Sequence, residues 1–135
     1  MRYLAIDYGN RRTGLAICDA AETIATPLAV IDGQKNLMQK IEDVVEAEAI
    51  SAVVVGLPLS MDDSESPQTK RVLSFVEQLK ECLHMPVYLQ DERLSSFSAE
   101  RKVAGAKLTN EKKKKWLDAI AAATILEAFL AAKKS

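Results

Sequence analysis

At 135 residues, with 48% hydrophobic and 27% charged residues, the chain is expected to form one globular domain over 1–135 with a proper core. A net charge of −1 excludes a global basic field drawing in nucleic acid, though a local basic patch beside an acidic site would cancel in that sum. No apolar run approaches the roughly 18 residues that span a membrane, and the first residues enter a strand without a leader, so a cytoplasmic protein with no membrane partner is expected.

In chain order, residues 3–6 read as a buried strand ending in Asp7, and a turn through Gly9 and Gly14 leads into a second strand at 15–18. A carboxylate on a central apolar strand is costly without a cation or hydrogen bonds. Asp7 is therefore either a turn cap before Gly9 or a metal ligand. Residues 22–26 form a third antiparallel strand, with Pro27 ending it or marking an edge. Helical spacing over 36–49 precedes the β-branched run 51–56, the pattern of a parallel strand buried on both faces. An acidic loop spans 59–67 and a second helix 69–82. A second buried strand covers 86–90 and ends at Asp91-Glu92-Arg93. A helix then starts near Ser96 or Ser98, a basic stretch follows over 107–115, and a last helix runs over about 113–132. Cys18 and Cys82 lie in apolar surroundings without a CxxC pair, as buried thiols of a reduced chain do. His84, the sole histidine, falls in a loop, so imidazole-based catalysis or zinc binding is poorly supported.

The order β-β-β, then α-β-α-β, then helices, predicts an α/β fold: a mixed sheet of three antiparallel strands followed by parallel ones, with helices on both faces. Sites in such sheets form at the carboxyl ends of parallel strands, where Asp7, Gly56 and Asp91-Glu92 all fall. On the last helix, Asp118 shares a face with Ala122, Ile125 and Phe129, so it points at the sheet. A salt bridge to Arg93 or Lys114 is the plain alternative to a ligand role. Together, Asp7, Asp91 or Glu92, and Asp118 suit Mg²⁺ or Mn²⁺ and a two-metal phosphodiester hydrolysis. The lysine run 112–115 with Arg101, Lys102 and Lys107 could rim that site for sequence-independent phosphate binding. Trp116 is read as a packing anchor before a base-stacking residue.

Four motifs carry a resemblance across nearly the whole chain: Asp7-Tyr8-Gly9 with Arg12, Gly14 and Ala16; Val54-Val55-Gly56-Leu57-Pro58; Asp91-Glu92-Arg93-Leu94-Ser95-Ser96; and Asp118 with Ala121-Ala122. The chain resembles the YqgF/RuvX family, known as pre-16S rRNA nucleases or Holliday junction resolvases. The resemblance implies an RNase H-like fold, a divalent-metal nuclease centre and a cytoplasmic role in maturing the 5′ end of 16S rRNA. It makes Asp7, Glu92 and Asp118 catalytic, and Asp7, Asp91 or Glu92, and Asp118 metal ligands, with Glu92 preferred over Asp91. Arg12 and Arg93 would hold phosphates, Gly14 and Gly56 would admit nucleic-acid backbone, and Lys114 and Lys115 would add charge. Ser60 and Asp63 depart from the family's loop after Gly-Leu-Pro.

The expected partner is nucleic acid, structured RNA before branched DNA, in ribosomal precursor particles. A monomer suffices for RNA trimming, whereas junction cutting needs a homodimer. A catalytically weak assembly factor is the competing class. An actin-like phosphotransferase, which opens on a similar Asp-x-Gly hairpin, needs two such domains, more than this length holds.

Overall fold

The computed structural model describes residues 1–59, 66–92 and 110–134, with side chains throughout except at 110–115. Its elements run β1 (Tyr3–Asp7), β2 (Arg12–Cys18), β3 (Ala25–Asp32), α1 (Leu37–Ala47), β4 (Ala52–Leu57), α2 (Pro67–Leu83), β5 (Val87–Asp91) and α3 (Asn110–Lys134). The strands form one five-stranded sheet in the order β3-β2-β1-β4-β5. β1–β2 and β2–β3 are antiparallel, and β1–β4 and β4–β5 are parallel. The expected helix near Ser96, most of the 59–67 loop, Arg93, Arg101, Lys102, Lys107 and the side chains of Lys112 to Lys115 lie outside the described residues.

Strand alternation splits the core between the two faces. Leu4, Ile6, Val53 and Val55 face α1 and α2, packing on Ile41, Val72, Phe75 and Leu79. Tyr3, Ala5 and Val54 face α3, against Ala122, Ile125 and Leu126. The α3 contact surface is alanine-rich, which lets the helix lie close over β1, β2 and β3. At the other helix on the opposite face, Ser66 caps α2 by accepting from the Thr69 amide at 3.2 Å, and Pro67 fills the first turn.

Three expectations need correction. β3 starts later than residue 22 and runs through Pro27 to Asp32. It is an edge strand, so the missing proline donor is tolerated, and a register shift at Leu15/Ala16 leaves Leu28 as the extra residue. β5 is not buried on both faces: it is the other edge, with Tyr88 41% and Leu89 42% exposed. Cys18 is buried, accepting from the Tyr3 amide at 3.3 Å, but Cys82 is exposed on α2, and both are free thiols. His84 is exposed where α2 ends, as its loop position implied.

Candidate active site

The sheet register brings the acidic residues together at one end of the molecule. Asp7 is the last residue of β1 and stands opposite Gly14 of β2. On its other side, one residue beyond the Ile6–Val55 pair, comes Gly56 of β4. Directly opposed residues share a face, so the Asp7 side chain and the Cα faces of both glycines look toward α3.

Gly14 makes room for the backbone of α3, and Gly56 for a carboxylate. A Cβ on Gly14 would lie 1.9 Å from the carbonyl oxygen of Asp118, so α3 is seated on this strand at the turn that carries Asp118. A Cβ on Gly56 would lie 2.5 Å from Glu92 Oε2, so the Glu92 carboxylate rests over that position. This corrects the expectation that Gly14 and Gly56 admit nucleic-acid backbone. Both are buried, and the space above them is filled by the protein's own helix backbone and carboxylate.

Alternation also separates the Asp91-Glu92 pair. Tyr88, Gln90 and Glu92 have the parity that faces α3, and Tyr88 touches Phe129 of that helix at 5.4 Å between ring centroids. Asp91 pairs with Leu57 on the opposite parity and is exposed. The Glu92 amide donates to the Leu57 carbonyl at 3.3 Å, which carries the β5 backbone one residue past the strand and holds Glu92 beside Asp7.

The electrostatics follow from this crowding. Burial, then the charges of Glu92 and Asp118, hold Asp7 well above its ordinary value of 3.8. Burial also raises Glu92, and Asp91 adds to it, while its hydrogen bond with Asp7 works the other way. Both carboxyls are thus held above their ordinary values, and a hydrogen bond joins them. Asp118 takes a different partner, with Arg12 Nε donating to its Oδ2 at 2.6 Å. That partner is neither Arg93 nor Lys114. Among the described residues, no three His, Cys, Asp or Glu side chains stand together at ion-holding distance.

Among the described residues the donors are carboxylate oxygens, partly desolvated, a set that suits a hard divalent cation. Arg12 supplies positive charge to Asp118, so it competes with a cation. Arg12→Ala is expected to tighten Mn²⁺ binding by up to about fivefold, the order of a partly exposed ion pair. Isothermal titration would measure it, and weaker binding by the variant would show that Arg12 does not compete.

Two features escaped the sequence reading. Arg12 and Asp118 are 106 positions apart, and nothing local links them. Tyr8 stacks on Phe75 of α2, with centroids 4.2 Å apart, a contact that strand alternation after Asp7 would have hinted at.

A family model described as RuvX, Holliday junction resolvase, matches residues 1–132. Relatives from Maridesulfovibrio salexigens and Caldanaerobacter subterraneus subsp. tengcongensis carry the name "Putative pre-16S rRNA nuclease" and are each 38% identical to this chain. The first alignment covers 97% of this chain and 98% of the relative, the second 100% and 99%. Among solved structures, T. thermophilus RuvC in complex with Holliday junction substrate superposes with a TM-score of 0.61 at 18% identity, covering 98% of this chain and 96% of that one. The complex of Fowlpox virus resolvase with substrate Holliday junction DNA gives 0.64 at 12%, covering 100% of both chains. At these identities the likeness is one of fold, and that fold is RNase H-like. The full-length match to the family model and the relatives' identity place this chain in the RuvX (YqgF) family.

Proposed function

We propose that this protein is a divalent-metal-dependent nuclease that hydrolyses phosphodiester bonds of structured RNA, trimming the 5′ end of pre-16S rRNA in ribosomal precursor particles. The observation that carries this reading is the contact of the Asp7 and Glu92 carboxyls at the carboxyl end of β1, with Asp118 near enough to add its charge to the field on Asp7. The names of the full-length relatives supply the substrate.

Asp7, Glu92 and Asp118 are the residues that would hold Mg²⁺ or Mn²⁺. Such ions, when bound, lower the pKa of an attacking water and stabilise the leaving oxygen. The protein's own part is to hold the carboxylates in place, and Gly14 and Gly56 set how closely they approach. Asp7 and Glu92 are both held above their ordinary values and must be deprotonated to act as ligands, so affinity for the ion rises with pH. Arg12 can donate its planar N–H groups to a phosphate oxygen in place of Asp118. Lys114 and Lys115, on the first turns of α3, and Arg93 extend the phosphate contacts in this reading. Asp91, on the other parity, is left out of the ligand set.

We place the reaction in the cytoplasm, where two free thiols stay reduced. Among the described residues, no helix is long and apolar enough to cross a membrane. The family model's description favours a second reading, resolution of branched DNA by a two-fold dimer.

The test is incubation of a 5′-extended 16S rRNA precursor and a four-way DNA junction with Mn²⁺ or Mg²⁺, using wild type and Glu92→Gln. Wild type is expected to shorten the RNA, leave the junction uncut, and lose its activity in the variant. Cutting of the junction alone would select the second reading. Binding of RNA without cleavage would replace both with an assembly factor.

A further inference from the structure

Tyr8 follows Asp7 directly and lies on the opposite face of the sheet, stacked on Phe75 with the two rings 13° from parallel. Its hydroxyl donates to Gln34 Oε1 at 3.0 Å, and Gln34 Nε2 donates to the Gly9 carbonyl at 2.8 Å. The loop leaving Asp7 is thereby tied to the ring. Two cavities, of about 290 Å³ and 360 Å³, open at this stack. Both are lined by Tyr8, Phe75 and Gln78, so they form one groove. One end reaches Lys70 and Arg71 on the first turns of α2, and the other reaches Gln34, Asn36 and Gln39 at the start of α1. Phe75 is only 4% exposed, so Tyr8 is the aromatic surface the groove offers.

We propose that this groove binds an unpaired segment of the nucleic acid that is cut at the carboxylates. Each component matches part of a single strand. An aromatic face takes an unstacked base. Carboxamides of Asn36 and Gln78 carry both donors and acceptors, which suits base edges. Lys70 and Arg71 are exposed cations for phosphates. A duplex cannot use the aromatic face, because its bases are already stacked. A free nucleotide would not need a groove that runs on in both directions past the ring. Tyr8 and Asp7 stand on opposite faces at the carboxyl end of β1, so a strand seated on Tyr8 reaches the acidic site by passing around that end of the sheet. The groove would select substrates carrying a single-stranded extension next to the cut. The assignment of the strand as substrate rests on the nuclease reading; the binding itself does not.

The test is therefore a binding measurement without metal. Fluorescence anisotropy of a labelled pentaribonucleotide in EDTA would compare wild type, Tyr8→Leu and the double variant Lys70→Glu/Arg71→Glu, with AMP as competitor. Leucine keeps an apolar cover over Phe75 and removes only the ring. Tyr8→Leu is expected to weaken binding about tenfold, as loss of one stacking platform does. The charge reversal is expected to weaken it at least as much and to flatten its salt dependence. AMP is expected not to displace the strand at equal concentration. Unchanged affinity in the charge-reversed protein, whose substitutions are both at exposed positions, would overturn the proposal even if Tyr8→Leu folds poorly. Displacement by AMP mole for mole would overturn it in favour of a free-nucleotide pocket. Groove-dependent binding without any cleavage would sink the nuclease reading alone, and cleavage with groove-independent binding would sink this inference alone.

Discussion

Asp7→Asn is expected to lower metal-dependent cleavage by ~10³-fold or more, while raising the melting temperature of the metal-free protein. The two effects have one cause. Asp7 is the carboxylate in contact with Glu92 and in the field of Asp118, and burial denies it water. With an ion present, loss of that ligand removes several kcal/mol of transition-state stabilisation, and each ~1.4 kcal/mol is a factor of ten in rate. Without an ion, the same carboxylate is a liability, and an amide of equal shape relieves it.

The pH dependence has a definite sign. Asp7 and Glu92 both have folded values above their ordinary 3.8 and 4.5, so the native state holds more protons than the unfolded chain. The contribution of this pair to the stability of the metal-free protein is therefore greatest in mild acid and falls as pH rises through those raised values. Asp118 and Asp91 add to the negative field, and among the described residues Arg12 opposes it at Asp118. Melting curves from about pH 4 to pH 8 should show this fall, a smaller one in Asp7→Asn, and recovery with Mn²⁺ towards neutral pH. Full metal-dependent activity in the asparagine variant would remove Asp7 from the site.

Gly14→Ala is expected to be the most damaging single methyl addition considered, costing ~3 kcal/mol or more and lowering the melting temperature by ~10 °C. The new Cβ would meet the Asp118 carbonyl oxygen at 1.9 Å, its carbonyl carbon at 2.2 Å and the Ala119 nitrogen at 2.9 Å. All of these are backbone atoms of α3, so relief requires lifting the helix from the sheet, and Asp118 moves with it. Gly56→Ala makes the contrast. Its Cβ meets only side-chain ends, Glu92 Oε2 and Ile125 Cδ1, each at 2.5 Å. The milder loss of stability expected there should come with displacement of Glu92 and weaker ion binding. Thermal unfolding and Mn²⁺ titration of both variants would separate the effects. A Gly14→Ala protein as stable as wild type would mean that α3 does not sit this close to β2.

Much of this organisation was legible in local patterns. The β-branched run became β4, and the helical periods became α1, α2 and α3 within a few residues, because burial of one face imposes its period on the chain. Asp118 pointing at the sheet was readable from spacing alone, since its helix neighbours Ala122 and Ile125 are buried. Where a segment's neighbours mattered more than its own pattern, the reading failed. Val87 to Asp91 has a core strand's composition but sits at an edge, and Pro27 belongs within a strand because that strand is at the other edge.

The sequence by itself determined which residues are acidic, that Asp118 faces the sheet, and that Asp7 and the Asp91-Glu92 pair fall at the carboxyl ends of their strands. Periodicity is local, and the physics of burial enforces it residue by residue. Only the tertiary structure decided the rest: that Glu92 and not Asp91 meets Asp7, that Gly14 and Gly56 serve helix and carboxylate, and that Arg12 pairs with Asp118. Those choices depend on register between strands and on which face α3 covers. Both are set by contacts between residues far apart in the chain, which leave no period in the sequence.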